Sequence, residues 1–264
     1  MRALYAAATG MNAQQTRIDT VANNLANVNT TGYKKSREVF QDLFYQELVG
    51  VAQDSENPTS SIGQVGAGVR VANITRDHSA GHVTETGDPL HMAINGTGYF
   101  VLETTEGDNL YTRDGSFTLD PDGYMITASG LRVSGDIQIP TDATSVAIDE
   151  DGTVRGTLGK DADSTVLGQI ELADFANRSG LKALGGNLYQ ETENSGEPQV
   201  MEVGVDSRVA QGYLEASNVE IADELINMIL LVYAVERTEL LTTSGTRWSS
   251  TLAELTTPGR PAPG

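Results

Sequence analysis

The stretch Ala22-Asn23-Asn24-Leu25-Ala26-Asn27-Val28-Asn29-Thr30-Thr31-Gly32-Tyr33-Lys34 marks the end of one sequence pattern and the start of another. Asparagine and glycine tolerate left-handed backbone dihedrals and are therefore common where a helix ends. Residues before the stretch repeat with helical spacing, whereas residues after it do not. We therefore expect the first helix to end within this stretch.

Before this stretch, apolar residues follow a heptad repeat, which is typical of a helix that packs lengthwise on other helices. The positions that recur every seven residues are Leu4, Met11, Ile18 and Leu25. The intervening apolar positions are Ala7, Val21 and Val28. Polar Gln14 interrupts the second series. Because a single helix of this kind buries too little apolar surface to fold alone, we expect it to pack on further helices.

The C-terminal part of the chain carries a matching pattern. Ser217 and Glu220 form a capping-box signature, and the helix that follows is expected to continue to about Leu255, before Pro258. The heptad positions of this helix are Ile221, Leu225, Met228, Val232 and Val235. We therefore predict that residues 1–30 together with 214–264 form a coiled-coil module. The pattern leaves open an ordinary helical hairpin that closes one domain.

Between the helices, residues 72–213 alternate short strand patterns with turn signals. Asp120-Pro121-Asp122-Gly123 and Asp149-Glu150-Asp151-Gly152 each separate two such patterns. Closely spaced strands joined by Asp-Gly turns indicate an antiparallel β domain. Strands and helices do not alternate, which argues against a Rossmann-like or TIM-like fold. The predicted class is α+β, an antiparallel β core domain flanked by N- and C-terminal helices.

Residues 31–71, between the first helix and the β core, differ from both. The segment 52–68 is rich in glycine, serine and other turn-forming residues. Such a composition has little capacity to form a hydrophobic core. We therefore expect an extended arm or linker here.

The composition limits the partners of the chain. Its formal net charge is −19, from 36 acidic and 17 basic side chains, so nucleic acid is not an expected partner. No stretch is long and apolar enough to span a bilayer. The N-terminus lacks the continuous apolar block of a cleavable secretion signal, so export would need a route that does not read one.

No metal site or cofactor is predicted. The 264 residues include no cysteine, which excludes thiolate ligands and thiol nucleophiles. His78 and His82 have the i, i+4 spacing of a helical metal site, but Gly81 argues against a helix there, and His91 is separated from both. The two Asp-Gly loops lack the full ligand spacing of a calcium loop.

No catalytic residue is predicted either. A secreted β-rich glycosidase would need two converging carboxylates, which a sequence alone does not reveal. Gly96-Thr97-Gly98 is not followed by a third glycine that opens a helix, as a nucleotide fingerprint requires. The glycosidase and a monomeric binding module are the alternatives to a structural role.

Residues 22–34 closely resemble the hallmark of bacterial flagellar rod and hook proteins. The residues of this family motif are Asn23, Asn24, Leu25, Ala26, Asn27, Gly32 and Tyr33. Segments 95–100, 111–117, 185–189 and 211–219 are similar to core-domain motifs of the same family. The resemblance therefore covers nearly the whole chain, and it implies a protein that polymerises and is not an enzyme.

Within the family, the length of the chain and the segment 45–69 are most similar to the distal rod members, with proximal rod or hook paralogues as the alternative. The resemblance implies terminal helices that order on assembly and line a tube, an outer β domain, and an arm that bridges neighbouring subunits. Its implied partners are further copies of the chain, proximal rod proteins, hook subunits through a junction, P-ring and L-ring proteins, and the flagellar type III export apparatus. The implied location is the rod, which spans the periplasm.

The paired heptads and the resemblance together predict a set of assembly residues, which we call the helical seam. They are Leu4, Met11, Ile18, Leu25, Val28, Ile221, Leu225, Met228, Val232 and Val235. Two segments depart from the family pattern: residues 230–236 are unusually apolar, and residues 256–264 add a tail rich in proline and glycine. The first departure suggests an altered packing register, and the second a disordered tail.

Overall fold

The computed structural model describes residues 2–47, 64–104, 107–158, 164–201, 203–204 and 207–236. Helices occupy both ends of this described part, and antiparallel strands fill the region between them. The predicted α+β class, with its terminal helices and antiparallel strands, is confirmed. The expected continuation of the second helix to Leu255, the tail 256–264 and residues 48–63 of the expected arm lie outside the described residues.

The chain divides into two compact units, and both are discontinuous in sequence. The first unit comprises residues 1–23, 36–75 and 221–264, and the second comprises residues 24–35 and 76–220. Most of the family motif therefore belongs to the β-rich unit and not to the unit that holds most of the helix before it.

Helix α1 spans Arg2–Ala26. It is rich in alanine and contains no proline, so its hydrogen-bond ladder is uninterrupted. Beyond it the backbone closes two tight turns, in which the Asn27 N–H donates to the Asn24 carbonyl and the Thr30 N–H to the Asn27 carbonyl, both at 3.1 Å. The predicted end of the helix within residues 22–34 is confirmed.

A second helix, α2, covers residues 221–236 of the described chain. The Ser217 hydroxyl accepts a hydrogen bond from the Val219 N–H at 3.3 Å, which forms a serine turn ahead of the helix in place of the predicted capping box. Neither α1 nor the described part of α2 combines the length and apolar character needed to cross a bilayer.

The first unit also contains short strands. They are β1 (Ser36–Asp42), β2 (Tyr45–Glu47), β3 (Gln64–Gly66) and β4 (Val69–Arg76). β1 pairs with β4, and β2 pairs antiparallel with β3, so each pair forms a two-stranded sheet. Two-stranded sheets are marginally stable in water on their own.

The second unit holds the remaining strands and one 3-10 turn at Arg178–Gly180. The strands are β5 (Val83–Glu85), β6 (Met92–Gly96), β7 (Tyr99–Glu103), β8 (Asn109–Thr112), β9 (Thr118–Leu119), β10 (Met125–Ile126), β11 (Arg132–Val133), β12 (Ala143–Ile148), β13 (Thr153–Leu158), β14 (Ser164–Gln169), β15 (Leu172–Asp174), β16 (Lys182–Gly185), β17 (Leu188–Gln190), β18 (Gln199–Met201), β19 (Ser207–Gln211) and β20 (Tyr213–Glu215).

Strand β7 is at the centre of the largest sheet. The order of this nine-stranded sheet is β16-β17-β8-β7-β11-β10-β9, and β15 joins β7 to β18. A separate meander contains β12, β13 and β14, while β19 pairs with β6 and β20 pairs with β5. The Asp-Gly loops close turns as predicted, with the Gly123 N–H donating to the Asp120 carbonyl at 2.8 Å and the Gly152 N–H donating to the Asp149 carbonyl at 3.0 Å.

The alternation of side chains along β7 creates two cores in the β-rich unit. Phe100 and Leu102 belong to a large aliphatic cluster, whereas Tyr99 and Val101 belong to a smaller cluster rich in aromatic residues. Successive residues of a strand point to opposite faces of the sheet. β7 therefore separates the two cores, and the aromatic one contributes to the cleft described below.

Candidate assembly site

The predicted seam residues of α1 do not form its most buried stripe. Leu4 is 50% exposed, and the other four seam residues of this helix and its exit are half-buried, namely Met11, Ile18, Leu25 and Val28. The buried residues of α1 are Ala13, Thr20, Val21 and Asn24. At 100° per residue, this buried stripe lies on a different side of the helix from the seam. Much of the seam surface therefore remains accessible.

In helix α2, too, the most buried residues are not the predicted seam residues. Leu231 and Glu224, seven residues apart, are buried at 4% and 7% exposure. Among the seam residues, Ile221, Leu225 and Val232 are 49%, 43% and 46% exposed, while Met228 and Val235 are half-buried. The remaining exposed large apolar residues of this helix are Ile226, Ile229, Leu230 and Tyr233.

The exposed side of α2 is an apolar surface of unusual extent for one helix. Seven large hydrophobic residues of its sixteen described positions are at least 43% exposed. Burying half of a leucine or isoleucine side chain contributes about 1 kcal/mol. Contiguous apolar surface of this kind marks interaction sites in soluble proteins.

The family motif at the end of α1 is held in the β-rich unit. Asn24, Gly32 and Tyr33 are buried, Leu25 and Asn27 are half-buried, and Asn23 and Ala26 are exposed. The Tyr33 hydroxyl donates to Asn24 Oδ1 at 3.2 Å, so the motif closes on itself. Gly32 has a φ of +65°, and a Cβ at this position would lie 2.6 Å from the Asp114 nitrogen. Only glycine fits this conformation and this close approach.

Neighbouring motif residues bind two segments of the β-rich unit. The Thr31 hydroxyl donates to Asp114 Oδ1 at 2.9 Å, and the Asn187 side-chain amide donates to the Thr31 carbonyl at 2.7 Å. The Gly32 N–H donates to the Glu215 carbonyl at 2.8 Å. The structure therefore brings together segments 22–34, 111–117, 185–189 and 211–219, which the sequence identified separately.

A buried ion triad lies at this junction. Glu215 Oε1 accepts from Lys34 Nζ at 2.6 Å, and Glu215 Oε2 accepts from Arg113 Nη1 at 2.9 Å. The Gly81 N–H also donates to Glu215 Oε1, at 2.8 Å. The side chains of Lys34, Glu215 and Arg113 are 1%, 1% and 4% exposed.

The remaining donors of the triad reach backbone carbonyls. Lys34 Nζ donates to the Ser79 carbonyl at 2.6 Å, and Arg113 donates to the carbonyls of Ile94 and Gly96 at 3.2 and 2.6 Å. Burial lowers the pKa of the Lys34 ammonium, and the charge of Glu215 opposes this shift. Buried charges persist when they are paired and hydrogen-bonded in this way.

The sequence analysis did not identify the triad as a set of interacting residues. Lys34, Arg113 and Glu215 were part of the quoted segments, but Lys34 and Glu215 are 181 positions apart. A charged residue inside each of three otherwise distinct motifs was the available signal. Their convergence depends on long-range strand pairing, which no local pattern encodes.

Two of the histidines, His78 and His91, lie within hydrogen-bonding distance of hydroxyl groups. His78 Nδ1 is 2.7 Å from the Tyr99 hydroxyl, and His91 Nδ1 is 2.9 Å from the Thr86 hydroxyl. Within the described ranges, no three histidine or acidic side chains cluster as a metal site would require.

Three family models match three separate parts of the chain. The flagella basal body rod protein model matches residues 4–34, and the flagellar hook protein FlgE/F/G D1 domain model matches residues 93–156. The flagellar basal body rod FlgEFG protein C-terminal model matches residues 210–234. These matches include α1 with the family motif, part of the β-rich unit, and most of the described α2.

Full-length relatives extend the similarity across the chain. The flagellar basal-body rod protein FlgG of Agrobacterium fabrum is 41% identical over 260 residues, which cover 96% of this chain and 99% of the relative. FlgG of Bacillus subtilis is 39% identical over 256 residues, covering 92% of this chain and 95% of the relative. The flagellar hook protein FlgE of Borreliella burgdorferi is 41% identical, but over only 51% of this chain and 31% of the relative.

The relatives that match end to end are named as basal-body rod proteins, which are structural components. Neither a glycosidase nor a monomeric binding module is favoured. The chain therefore belongs to the FlgG family of flagellar basal-body rod proteins and is a structural subunit of the rod, not an enzyme.

Proposed function

We propose that the chain self-assembles into the distal rod, the part of the drive shaft that transmits torque to the hook. The observation that carries this proposal is the apolar surface of α2, where Ile221, Leu225 and Val232 remain more than 40% exposed. A protein that functions alone gains nothing from such a surface, whereas a polymer subunit buries it against its neighbours.

The ten residues of the helical seam are the proposed contacts between copies. Each helix has a buried stripe and an accessible seam, so the seam is available for packing on other helices. We assign assembly through a coiled coil to residues 1–30 together with 214–264, and we assign the β core to residues 72–213. Heptad packing between long helices resists bending and twisting, as a shaft requires.

The arm, residues 31–71, is proposed to bridge neighbouring subunits. Phe44 is 92% exposed, and Tyr45 and Val65 on the β2–β3 pair are 56% and 48% exposed. A two-stranded sheet with exposed aromatic residues is stabilised when it docks on another surface. Within a polymer, that surface belongs to another copy of the chain.

The position in the rod sets the remaining proposed partners. These are proximal rod proteins on one side, hook subunits through a junction on the other, and the P-ring and L-ring proteins around the shaft. The rod relative from Agrobacterium fabrum is matched over 99% of its length, whereas the hook relative is matched over 31% of its length. This difference in coverage supports a rod subunit and not a hook subunit. Export through the flagellar type III apparatus without a cleavable signal peptide, to a rod that spans the periplasm, completes the proposal.

Immunogold labelling of isolated hook–basal bodies, with antibody against this chain, tests the proposed position. We expect gold particles on the rod segment nearest the hook. Label confined to the proximal rod or the hook would assign the chain to a different axial segment. An absence of label on intact, accessible basal bodies would contradict the rod assembly itself.

A further inference from the structure

A polar cleft of about 410 Å³ opens beside the aromatic core of the β-rich unit. Its lining includes Arg76, Asp77, His78, Phe175, Arg178 and Ser179. The cleft lies within one unit, because all of these residues belong to the range 76–220. Its walls therefore keep a fixed relation to the β core.

Buried aromatic rings pack against His78, one of the residues that line this cleft. The His78 ring meets the rings of Tyr99 and Tyr189 edge to face, with centroids 6.0 and 5.8 Å apart. The Tyr99 hydroxyl lies 2.7 Å from His78 Nδ1, and both tyrosines are at most 2% exposed. A wall of buried rings excludes water from one side of an ion pair and so strengthens it.

Arg76 and Arg178 differ in how their charge is compensated. Arg178 donates to both carboxylate oxygens of Asp174, at 2.8 and 2.6 Å. Arg76 stacks over the Tyr189 ring at 5.6 Å and donates to its hydroxyl at 3.5 Å. Among the residues that the structure describes, no carboxylate lies within ion-pairing distance of Arg76. A guanidinium carries five N–H donors, so Arg76 retains the capacity for a bidentate carboxylate contact.

The cleft contains charges of both signs, and more cations than carboxylates act on His78. The pKa of His78 is lowered to about 4, mainly by burial and further by the positive charges of Lys34, Arg76 and Arg178, with Asp77 acting in the opposite direction. The whole chain carries a net charge of −19. Beside the Asp77 carboxylate, the cleft therefore presents the Arg76 cation on the surface of a strongly acidic protein.

We propose that this cleft receives an aspartate or glutamate side chain from a second copy of the chain in the assembled rod, with Arg76 as its main contact. The inference rests on the proposed rod function. In a polymer the neighbours of each subunit are identical copies, each with 36 acidic and 17 basic side chains, so a carboxylate is the group most available to the cleft. The planar fork of arginine matches a carboxylate in geometry as well as in charge.

Photo-crosslinking within assembled rods tests the proposal directly. A photoreactive residue replaces Ser179, an exposed residue at the cleft, and hook–basal bodies are isolated after illumination. We expect a covalent dimer of this chain, and mass spectrometry should map the crosslink on the second copy to a peptide that contains aspartate or glutamate. This step needs no substitution of Arg76 and so does not depend on the folding of a charge variant.

A charge swap then tests the role of Arg76. Arg76→Glu should reduce the number of complete rods at least about tenfold, whereas combining it with arginine at the mapped acidic residue should restore them. Arg208→Glu is the matched control, because Arg208 is exposed and pairs with Glu150 outside the cleft. Arg76→Gln, which removes the charge without reversing it, provides a second variant should Arg76→Glu alter the melting temperature of the monomer.

The outcomes separate the two proposals. A crosslink to another protein, to a peptide without an acidic residue, or to nothing in rods that contain the chain overturns the cleft proposal alone. Rods of normal number from both Arg76 variants overturn it as well. Basal bodies that lack the chain altogether overturn the rod assignment, and the cleft proposal with it.

Discussion

Glu215 accepts hydrogen bonds from Lys34, Arg113 and the Gly81 backbone while almost fully withdrawn from water. Two cations and one anion share this site, so the carboxylate compensates more than one buried charge. Removing one partner of a buried ion pair leaves the other charge uncompensated. The free-energy cost of that uncompensated charge is far larger than the net stabilisation that the intact pair provides. At the residue scale, Glu215 is therefore the side chain on which the junction of the family motifs most depends.

Glu215→Gln should lower the free energy of unfolding of the monomer by about 3–5 kcal/mol, since Lys34 and Arg113 lose their buried counter-charge. Urea denaturation followed by circular dichroism measures this loss. The control is Glu150→Gln, because Glu150 is 73% exposed and pairs with Arg208 at 3.1 Å. Its effect should stay below about 1 kcal/mol. Equal effects of the two substitutions would show that the triad does not stabilise the fold.

The lowered pKa of His78 predicts that the stability of the folded monomer depends on pH. Its pKa falls from 6.5 to about 4 on folding, mainly because of burial, so the unfolded chain binds more protons between these values. Stability should therefore decrease as the pH falls from about 6.5 to about 4, by about 2 kcal/mol after allowance for partial exposure.

Carboxylates titrate in part of the same pH range and also change the stability. The contribution of His78 is therefore measured as the difference between the wild type and a His78 variant. His78→Gln should flatten the slope of stability against pH between 4 and 6.5, as measured by urea midpoints. His82→Gln, at an exposed histidine, should follow the wild type. A His78→Gln slope that matches the wild type would refute the assignment.

At the scale of the element, each terminal helix carries a buried stripe and a more accessible stripe. Leu231 is 4% exposed and Leu225 is 43% exposed on the same helix. Heptad periodicity predicted the helices and the apolar character of these positions. It did not reveal which positions are buried within the chain, because the buried positions of α2 include Glu224 as well as Leu231 and periodicity measures only spacing. The actual burial depends on neighbours that are distant in sequence.

Substitutions on the two stripes of α2 should therefore separate folding from assembly. Leu231→Asp should reduce the helical signal or the melting temperature of the monomer, because it places a charge at a buried site. Leu225→Asp should change the monomer by less than about 0.5 kcal/mol, as surface substitutions do. Thermal melts followed by circular dichroism distinguish them. Equal destabilisation would contradict the division into two stripes.

At the same scale, the turns between β strands were predictable from their residue types, whereas the strand order was not. The Asp-Gly loops at Gly123 and Gly152 were predicted as turns and close turns in the structure, since both glycines have positive φ. The sequence did not predict the order of the strands. Neighbours such as β7 and β15 are far apart along the chain, and their pairing is a property of the assembled sheet.

At the scale of the whole molecule, the β-rich unit is completed by a segment that includes the end of α1 and the first residues of the expected arm. Residues 24–35 belong to it although residues 36–75 do not. Lys34 and Thr31 contact Glu215 and Asp114 directly, and the Lys35 N–H donates to Asn218 Oδ1 at 2.8 Å. The segment should therefore stay bound even when the chain around it is cut.

Limited trypsin digestion of the monomer should reveal this arrangement. Cleavage after Arg17, Arg37 and Arg70 should leave a peptide of residues 18–37 bound to a resistant fragment of residues 71–237, because Arg237 is the first tryptic site after Arg208. Native size-exclusion chromatography followed by mass spectrometry detects such a complex. Glu215→Gln should release the peptide. A resistant fragment that begins near residue 76 and carries no peptide would contradict the discontinuous unit, and so would a lack of cleavage after Arg17 in α1.

The central claim is that the chain builds the rod through the seam on its terminal helices. The most direct measurement is electron microscopy of basal bodies from cells that lack their own copy and receive a variant instead. The wild type should restore complete rods, whereas Leu25→Asp and Leu225→Asp should not, because an unpartnered charge would be buried at the seam. Circular dichroism of the purified variants should show a β-rich unit that is still folded. Normal rods built from either variant would contradict the claim.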